Sequence, residues 1–257
     1  GDVRARARGA IGADGTALIP LGVAEPWGAR TVRVTLEAEV EDVGRQRVAN
    51  RAVVVVHPAS LYAGVRVPGG FGEVGKPMIV EVIAAGLDGK RVGAAPLAVK
   101  VSRREWKSIR RRDPDSGRFT TVSEPEQVAV KDCALMSDAT AAVRCEVSPE
   151  KPGLYIMEAT VTDSAGRKQM TTSSSYVAGG GWVSWQQTDS ATVEMVADQK
   201  LYRPGDTARV LIKSPWPEAE ALVTVEREGI ISARRMTLKG SATAIDVPID
   251  DAAVPNV

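Results

Sequence analysis

Residues 196–229, VADQKLYRPGDTARVLIKSPWPEAEALVTVEREG, constrain the fold more than any other stretch of the chain. Pro204, Gly205 and Asp206 form a turn, and the run from Thr207 to Lys213 then alternates, with Ala208, Val210 and Ile212 on one face. A period of two argues for a half-buried β-strand and against a helix. Ser214-Pro215-Trp216-Pro217 ends that strand, because proline cannot donate to a sheet ladder. A second run, Ala221 to Glu226, follows at once. Aromatic residues make up only 4% of the sequence, so valine and alanine must fill the core, with 24 Gly and 15 Pro as punctuation. This composition predicts an all-β chain of tandem Ig- or fibronectin-III-like β-sandwiches.

The 257 residues suffice for two or three small domains. Charge is balanced, 33 basic against 32 acidic residues, which predicts neither a nucleic-acid partner nor insertion into a membrane. No window approaches the roughly 18 apolar residues of a membrane span, and Gly1 to Arg4 do not open an apolar signal segment. Residues 1–58 offer strand candidates at Thr16–Leu21, Thr31–Val40 and Ala49–His57, too few for an independent core.

Internal repeats set the domain period. Glu37-Ala38-Glu39-Val40-Glu41-Asp42-Val43-Gly44-Arg45 recurs from Glu158 to Arg167 with one extra residue in the turn. Leu61-Tyr62 and Gly75 to Val82 parallel Leu201-Tyr202 and Gly205 to Ile212. Repeats of this length suit one sandwich per period. The expected organisation is the C-terminal part of a sandwich at 1–58, a complete sandwich at 59–178, a Gly/Trp linker at 179–189 and the N-terminal part of a further domain at 190–257. In the linker, Gly179, Gly180 and Gly181 predict flexibility. Trp182 and Trp185 are expected to be buried between the flanking domains, and a ligand platform is the alternative.

Within the complete sandwich, Pro77–Ala84 and Leu97–Ser102 read as strands around a turn at Leu87-Asp88-Gly89-Lys90. Arg103 to Arg118 is basic and contains Trp106. It reads either as a stacking groove for nucleic acid or as a hairpin with a solvated basic face and a tip at Asp113 to Gly117, and the overall charge favours the hairpin. Tyr155, just ahead of the strand to Thr162, is a candidate tyrosine-corner anchor.

Cys133 and Cys145 are the best chemical signal. Strands meeting around Ala139 would set them opposite one another as a structural disulfide. A redox couple or half a metal site is the weaker alternative, since there is no Cys-x-x-Cys and the only histidine, His57, is far away in sequence. A disulfide implies an oxidising compartment. Asp42 and Asp163 are expected to cap their own turns. One histidine, no phosphate loop and no Gly-x-Ser-x-Gly leave catalysis without a foothold, so no enzyme activity, cofactor or metal is expected.

The string DQKLYRPGDTARVLIKSP, then ALVTVEREGI and the closing Val254 to Val257, resembles the bait-region domain of bacterial alpha-2-macroglobulins. Asp198, Lys200, Tyr202, Pro204, Gly205, Asp206, Ala208 and Val210 stand at matching places, with Gln199 as an insertion. The Cys pair and the Asp…Gly-Arg hairpin resemble the macroglobulin-like domains of the same family. The resemblance implies a structural segment of a broad-spectrum endopeptidase inhibitor that traps proteases after bait cleavage. Its partners would be endopeptidases, through the full-length protein, and neighbouring macroglobulin-like domains. Its location would be periplasmic, with an inner-membrane anchor possible in the full-length protein, or extracellular. The Cys-x-Glu-Gln thioester of that family is absent from these residues. The competing reading is a run of Ig-like repeats from a bacterial adhesin or surface stalk.

Overall fold

The computed structural model describes residues 5–20, 29–114, 117–185 and 192–254. These contain fifteen strands, no α-helix and one 3-10 turn at Asp251–Ala253. The chain falls into two units, Gly1–Pro58 and Ala59–Val257.

The first unit contains one antiparallel hairpin, β1 (Val32–Glu41) and β2 (Arg47–Val56), in register from Val32↔Val56 to Glu41↔Arg47. Its turn is closed by Asp42, whose carboxylate accepts from Gln46 N at 2.8 Å. The strand expected at Thr16–Leu21 does not form over residues 16–20, where Leu18 stands 98% exposed; Leu21 lies outside the described residues. An extended segment is a strand only when a neighbour accepts its hydrogen bonds, and none is described beside it.

The second unit opens with two packed sheets. One holds β3 (Leu61–Arg66), β5 (Met78–Gly86) and β8 (Val143–Val147). The other runs β4-β10-β9-β6-β7, where β4 is Phe71–Glu73, β6 Pro96–Arg112, β7 Phe119–Met136, β9 Gly153–Thr162 and β10 Lys168–Ala178. Alternate residues of β5 (Met78, Val80, Val82, Ala84) and of β6 (Leu97, Val99, Val101) meet Met157, Ala159 and Val161 of β9 in a dry core. β6 does not stop near Ser102 as expected but runs on to Arg112, and its hairpin with β7 turns at the predicted tip, of which Asp115 and Ser116 lie outside the described residues.

Two polar devices hold this sandwich. Tyr155 is buried and donates its hydroxyl to the Lys151 carbonyl at 2.8 Å, the anchor expected of it. Asp163 does more than cap its turn. One of its oxygens accepts from Ala165 N and Arg167 N, while the other takes Ser60 N, Ser60 Oγ and Arg167 Nε, tying the start of β3 to the β9–β10 turn. The Ser60 amide, partly opposed by burial and aided by Arg167, holds the Asp163 carboxyl well below its ordinary 3.8.

Cys133 and Cys145 are bonded, with Cα atoms 6.1 Å apart. Their geometry differs from the expected hairpin. Cys133 lies on β7 opposite Val99, and Cys145 lies on β8 opposite Val80, so the bond joins the two sheets. The intervening residues cross from sheet to sheet: Ser137 exchanges hydrogen bonds with Ala95, its hydroxyl reaches the Val92 carbonyl, and Asp138 caps Thr140 and Ala141.

The remaining strands form a three-stranded sheet, β11 (Glu194–Ala197), β12 (Thr207–Lys213) and β15 (Ala242–Pro248), and a hairpin of β13 (Glu218–Glu226) and β14 (Ile230–Lys239). Ile212, Ile245 and Leu238 pack between them.

Two outcomes follow for stability. Reducing the disulfide should cost about 3 kcal/mol for a loop of this size, read as a lower denaturant midpoint with the β-rich circular dichroism retained; an unchanged midpoint would mean the bond is idle. Because the folded Asp163 pKa lies below the unfolded one, its contribution is complete above the unfolded value and is lost as pH falls through the folded value. The Asp163→Asn variant should therefore melt below wild type at neutral pH, with the gap closing in strong acid; a gap that widens in acid would contradict this.

Candidate functional site

The sandwich and the sheets formed by residues 194–248 meet along β12. Sequence alternation puts Ala208, Val210 and Ile212 on one face, and Ile212 with Val210 indeed packs toward the β13–β14 hairpin. The other face, Arg209, Leu211 and Lys213, was expected to be the wet one. Instead Leu211 is 0% exposed and joins Phe71, Ala178, Val183 and Ala242 in a second apolar cluster. The strand is used on both faces because a neighbouring sandwich, which no local pattern records, covers the second one. Leu211, an apolar residue amid Arg209 and Lys213, was the available signal.

The two flanking cations frame Leu211. The Arg209 guanidinium lies 5.5 Å from the Phe71 ring centroid and binds Glu73 at 2.5 Å and Asp246 at 3.5 Å. Lys213 Nζ sits 4.9 Å from the Tyr176 ring and 5.1 Å from the Trp185 ring, pairs with Glu194 and donates to the Tyr176 hydroxyl at 3.3 Å. The two rings meet edge to face at 5.9 Å. Burial pulls the Lys213 ammonium down, but Glu194 and the Tyr176 hydroxyl outweigh it and the net shift is upward. On the carboxylate side, Lys76 first and then Arg209 hold Glu73 below its usual value against the opposing effect of burial. A cation over an aromatic face contributes about 0.5–1 kcal/mol at an exposed site and more when desolvated. Burying Leu211 contributes about 1.5–3 kcal/mol, so the apolar contact dominates and the cations set its register.

Backbone contacts close the joint. Gly179 N donates to Ala242 O at 2.9 Å, and Ser241 N donates to Gly181 O at 3.0 Å. The three-glycine run, expected to be a flexible tether, is thus held against the start of β15. Other glycines at the joint serve close approach: a Cβ on Gly240 would lie 2.9 Å from Gly181 N, and one on Gly70, at φ 73°, would lie 2.2 Å from Asp198 O. The tryptophans divide. Trp185 is partly buried and donates Nε1 to Ser241 O at 2.8 Å. Trp182 is 60% exposed, so only one of the two docks as expected, and Val183 between them takes the buried place. Residues 186–189 of the expected linker lie outside the described residues.

The residues that carried the resemblance build the approach to β12. Asp198 Oδ1 accepts from the Arg209 amide at 2.9 Å and from the Tyr202 hydroxyl at 2.6 Å. That hydroxyl accepts from Gln199 N, while Asp206 accepts from Arg203 N across the turn that Gly205 makes at φ 95°. Tyr202 is shifted upward by burial and by the Asp198 carboxylate. Lys200 and Pro204 of the same string are exposed. The arrangement fixes the backbone leading into β12 and so its place against the sandwich. Among the described residues no three His, Cys, Asp or Glu side chains are placed to hold a metal ion, and no helix is long and apolar enough to cross a membrane.

Comparison with known proteins agrees with the resemblance. Residues 193–257 match the model of the alpha-2-macroglobulin bait region domain. An alpha-2-macroglobulin homolog of Nostoc sp. is 25% identical over 86% of this chain, and the alpha-2-macroglobulin of Ralstonia nicotianae is 39% identical over 38% of it. The chain spans 11% and 6% of the lengths of these two relatives. A crystal structure of Salmonella alpha-2-macroglobulin reacted with methylamine matches at 15% identity, covering 93% of this chain and 16% of that one, with a TM-score of 0.47. The chain is accordingly similar to bacterial alpha-2-macroglobulins over most of its length, and its residues 193–257 match the model of their bait region domain.

Proposed function

We propose that the chain is a structural, non-catalytic segment of an alpha-2-macroglobulin-like broad-spectrum endopeptidase inhibitor. In this reading residues 1–58 are the C-terminal part of one macroglobulin-like domain, 59–178 a complete one, 179–189 a linker and 190–257 the N-terminal part of a further macroglobulin-like or bait-region domain. The partners are endopeptidases, engaged by the full-length protein, and the neighbouring domains of the same chain. The compartment is the periplasm or the outside, which the Cys133–Cys145 bond favours because disulfides persist where the milieu is oxidising.

One observation carries the reading: the bait region domain is docked on the preceding sandwich by β12, through Leu211, Arg209 and Lys213. A trap must turn one cut into a movement of its body, and a domain that swivels freely on a tether cannot transmit that movement. A surface stalk has no such need of a fixed angle.

Two experiments test this. The isolated chain should leave trypsin and elastase fully active, since the segment contributes framework and lacks the Cys-x-Glu-Gln thioester; stoichiometric inhibition by this segment alone would overturn the assignment. Tryptophan fluorescence tests the docking. Trp185→Phe should remove a blue-shifted, acrylamide-protected component, whereas Trp182→Phe should remove a water-like one. Free quenching of both indoles would contradict the docked arrangement.

A further inference from the structure

The hairpin of β6 and β7 outgrows its sandwich. β9 pairs with β6 only as far as Arg104↔Leu154, whereas the β6–β7 ladder continues to Arg112↔Phe119. Residues 105–112 and 119–126 therefore form a two-stranded arm with no third strand beside it among the described residues. Directly opposed residues share a face, and faces alternate along each strand. The register then sorts the charges. Arg103–Glu105, Lys107–Glu126 and Arg111–Glu124 pair on the face continuous with the core. The opposite face carries Arg104, Trp106, Arg110 and Arg112, set against Gln127, Pro125, Thr121 and Phe119, and has no carboxylate. Arg110 lies 5.3 Å from the Phe119 ring, and Phe119 is 62% exposed.

We propose that this carboxylate-free face docks an acidic, extended segment of another protein. Its charged groups are all arginines, whose planar fork matches a carboxylate better than an ammonium does. Arginine and large aromatic residues together are what interface centres favour over the rest of a surface. Arg110 and Arg112 are two residues apart on one strand, about 6.8 Å, the spacing of alternate side chains along an extended peptide. A second cation-rich strand on the other face would have suggested a polyanion, but there each cation is already paired. An anionic membrane is disfavoured by the Asp113 carboxylate at the arm's tip, and nucleic acid by the balanced charge of the whole chain.

The test is fluorescence anisotropy with a labelled peptide of alternating Glu and Val. The chain should bind it, and affinity should fall as salt rises. Replacing Arg110→Glu with Arg112→Glu should weaken binding about tenfold or more, while Lys107→Gln, on the paired face, should leave it unchanged. A wild-type control covers a folding failure of the double variant: exchanging Glu for Gln in the peptide should abolish binding. The proposal is overturned by no binding, by equal binding of the Gln peptide or of a folded double variant, or by tighter binding to phosphatidylglycerol vesicles or single-stranded DNA.

Discussion

Everything beyond the individual sandwiches depends on β12 being buried on both faces. One side of the strand completes the small core of Ile212, Ile245 and Leu238, and the other presses Leu211 into the preceding sandwich. A strand used in this way cannot shift register by one residue without exchanging its two faces. The exchange would put Arg209 and Lys213 into a dry core, where unpaired charges cost several kcal/mol each. The two cations thus enforce register as well as contact, since only in the observed register do they reach Phe71, Tyr176, Trp185 and their carboxylates.

The glycines at the boundary act through the same contact. Gly70 and Gly240 leave room for backbone to approach backbone, and the Gly179–Gly181 run supplies carbonyls and amides to the start of β15. Chain flexibility and tight docking usually compete; here the residues with the least side chain permit the closest packing. Within the sandwich, the Asp163 network and the Cys133–Cys145 bond tie parts that are distant in sequence or in different sheets, so the surface onto which β12 docks is itself well fixed.

Most of the fold was legible because it is local. The period-two runs of β5, β6, β9 and β12, the Asp…Gly-Arg hairpin and the Tyr155 anchor all follow from residues close in sequence. What the sequence concealed is long-range. Cys133 stands opposite Val99 in one sheet and Cys145 opposite Val80 in the other, which makes Cys133–Cys145 an inter-sheet bond and not a hairpin bond. Leu211, on the face of β12 expected to be wet, is dry because of Phe71 and Tyr176, more than thirty residues upstream. Trp182 and Trp185 look alike in sequence, and Trp185 is the one that docks, where it meets Tyr176, Lys213 and Ser241 O. The family string was legible as resemblance, and its Asp198, Tyr202 and Asp206 prove to be the polar frame that aims β12.

The central claim is that β12 makes the sandwich and the bait region domain move as one body. Backbone nitrogen-15 relaxation measures this directly by giving a rotational diffusion tensor for each part. The strands β5, β6 and β9 on one side and β12 and β15 on the other should report a single shared tensor, and Leu211→Asp should split it in two. Separate tensors in the wild-type chain would contradict the account.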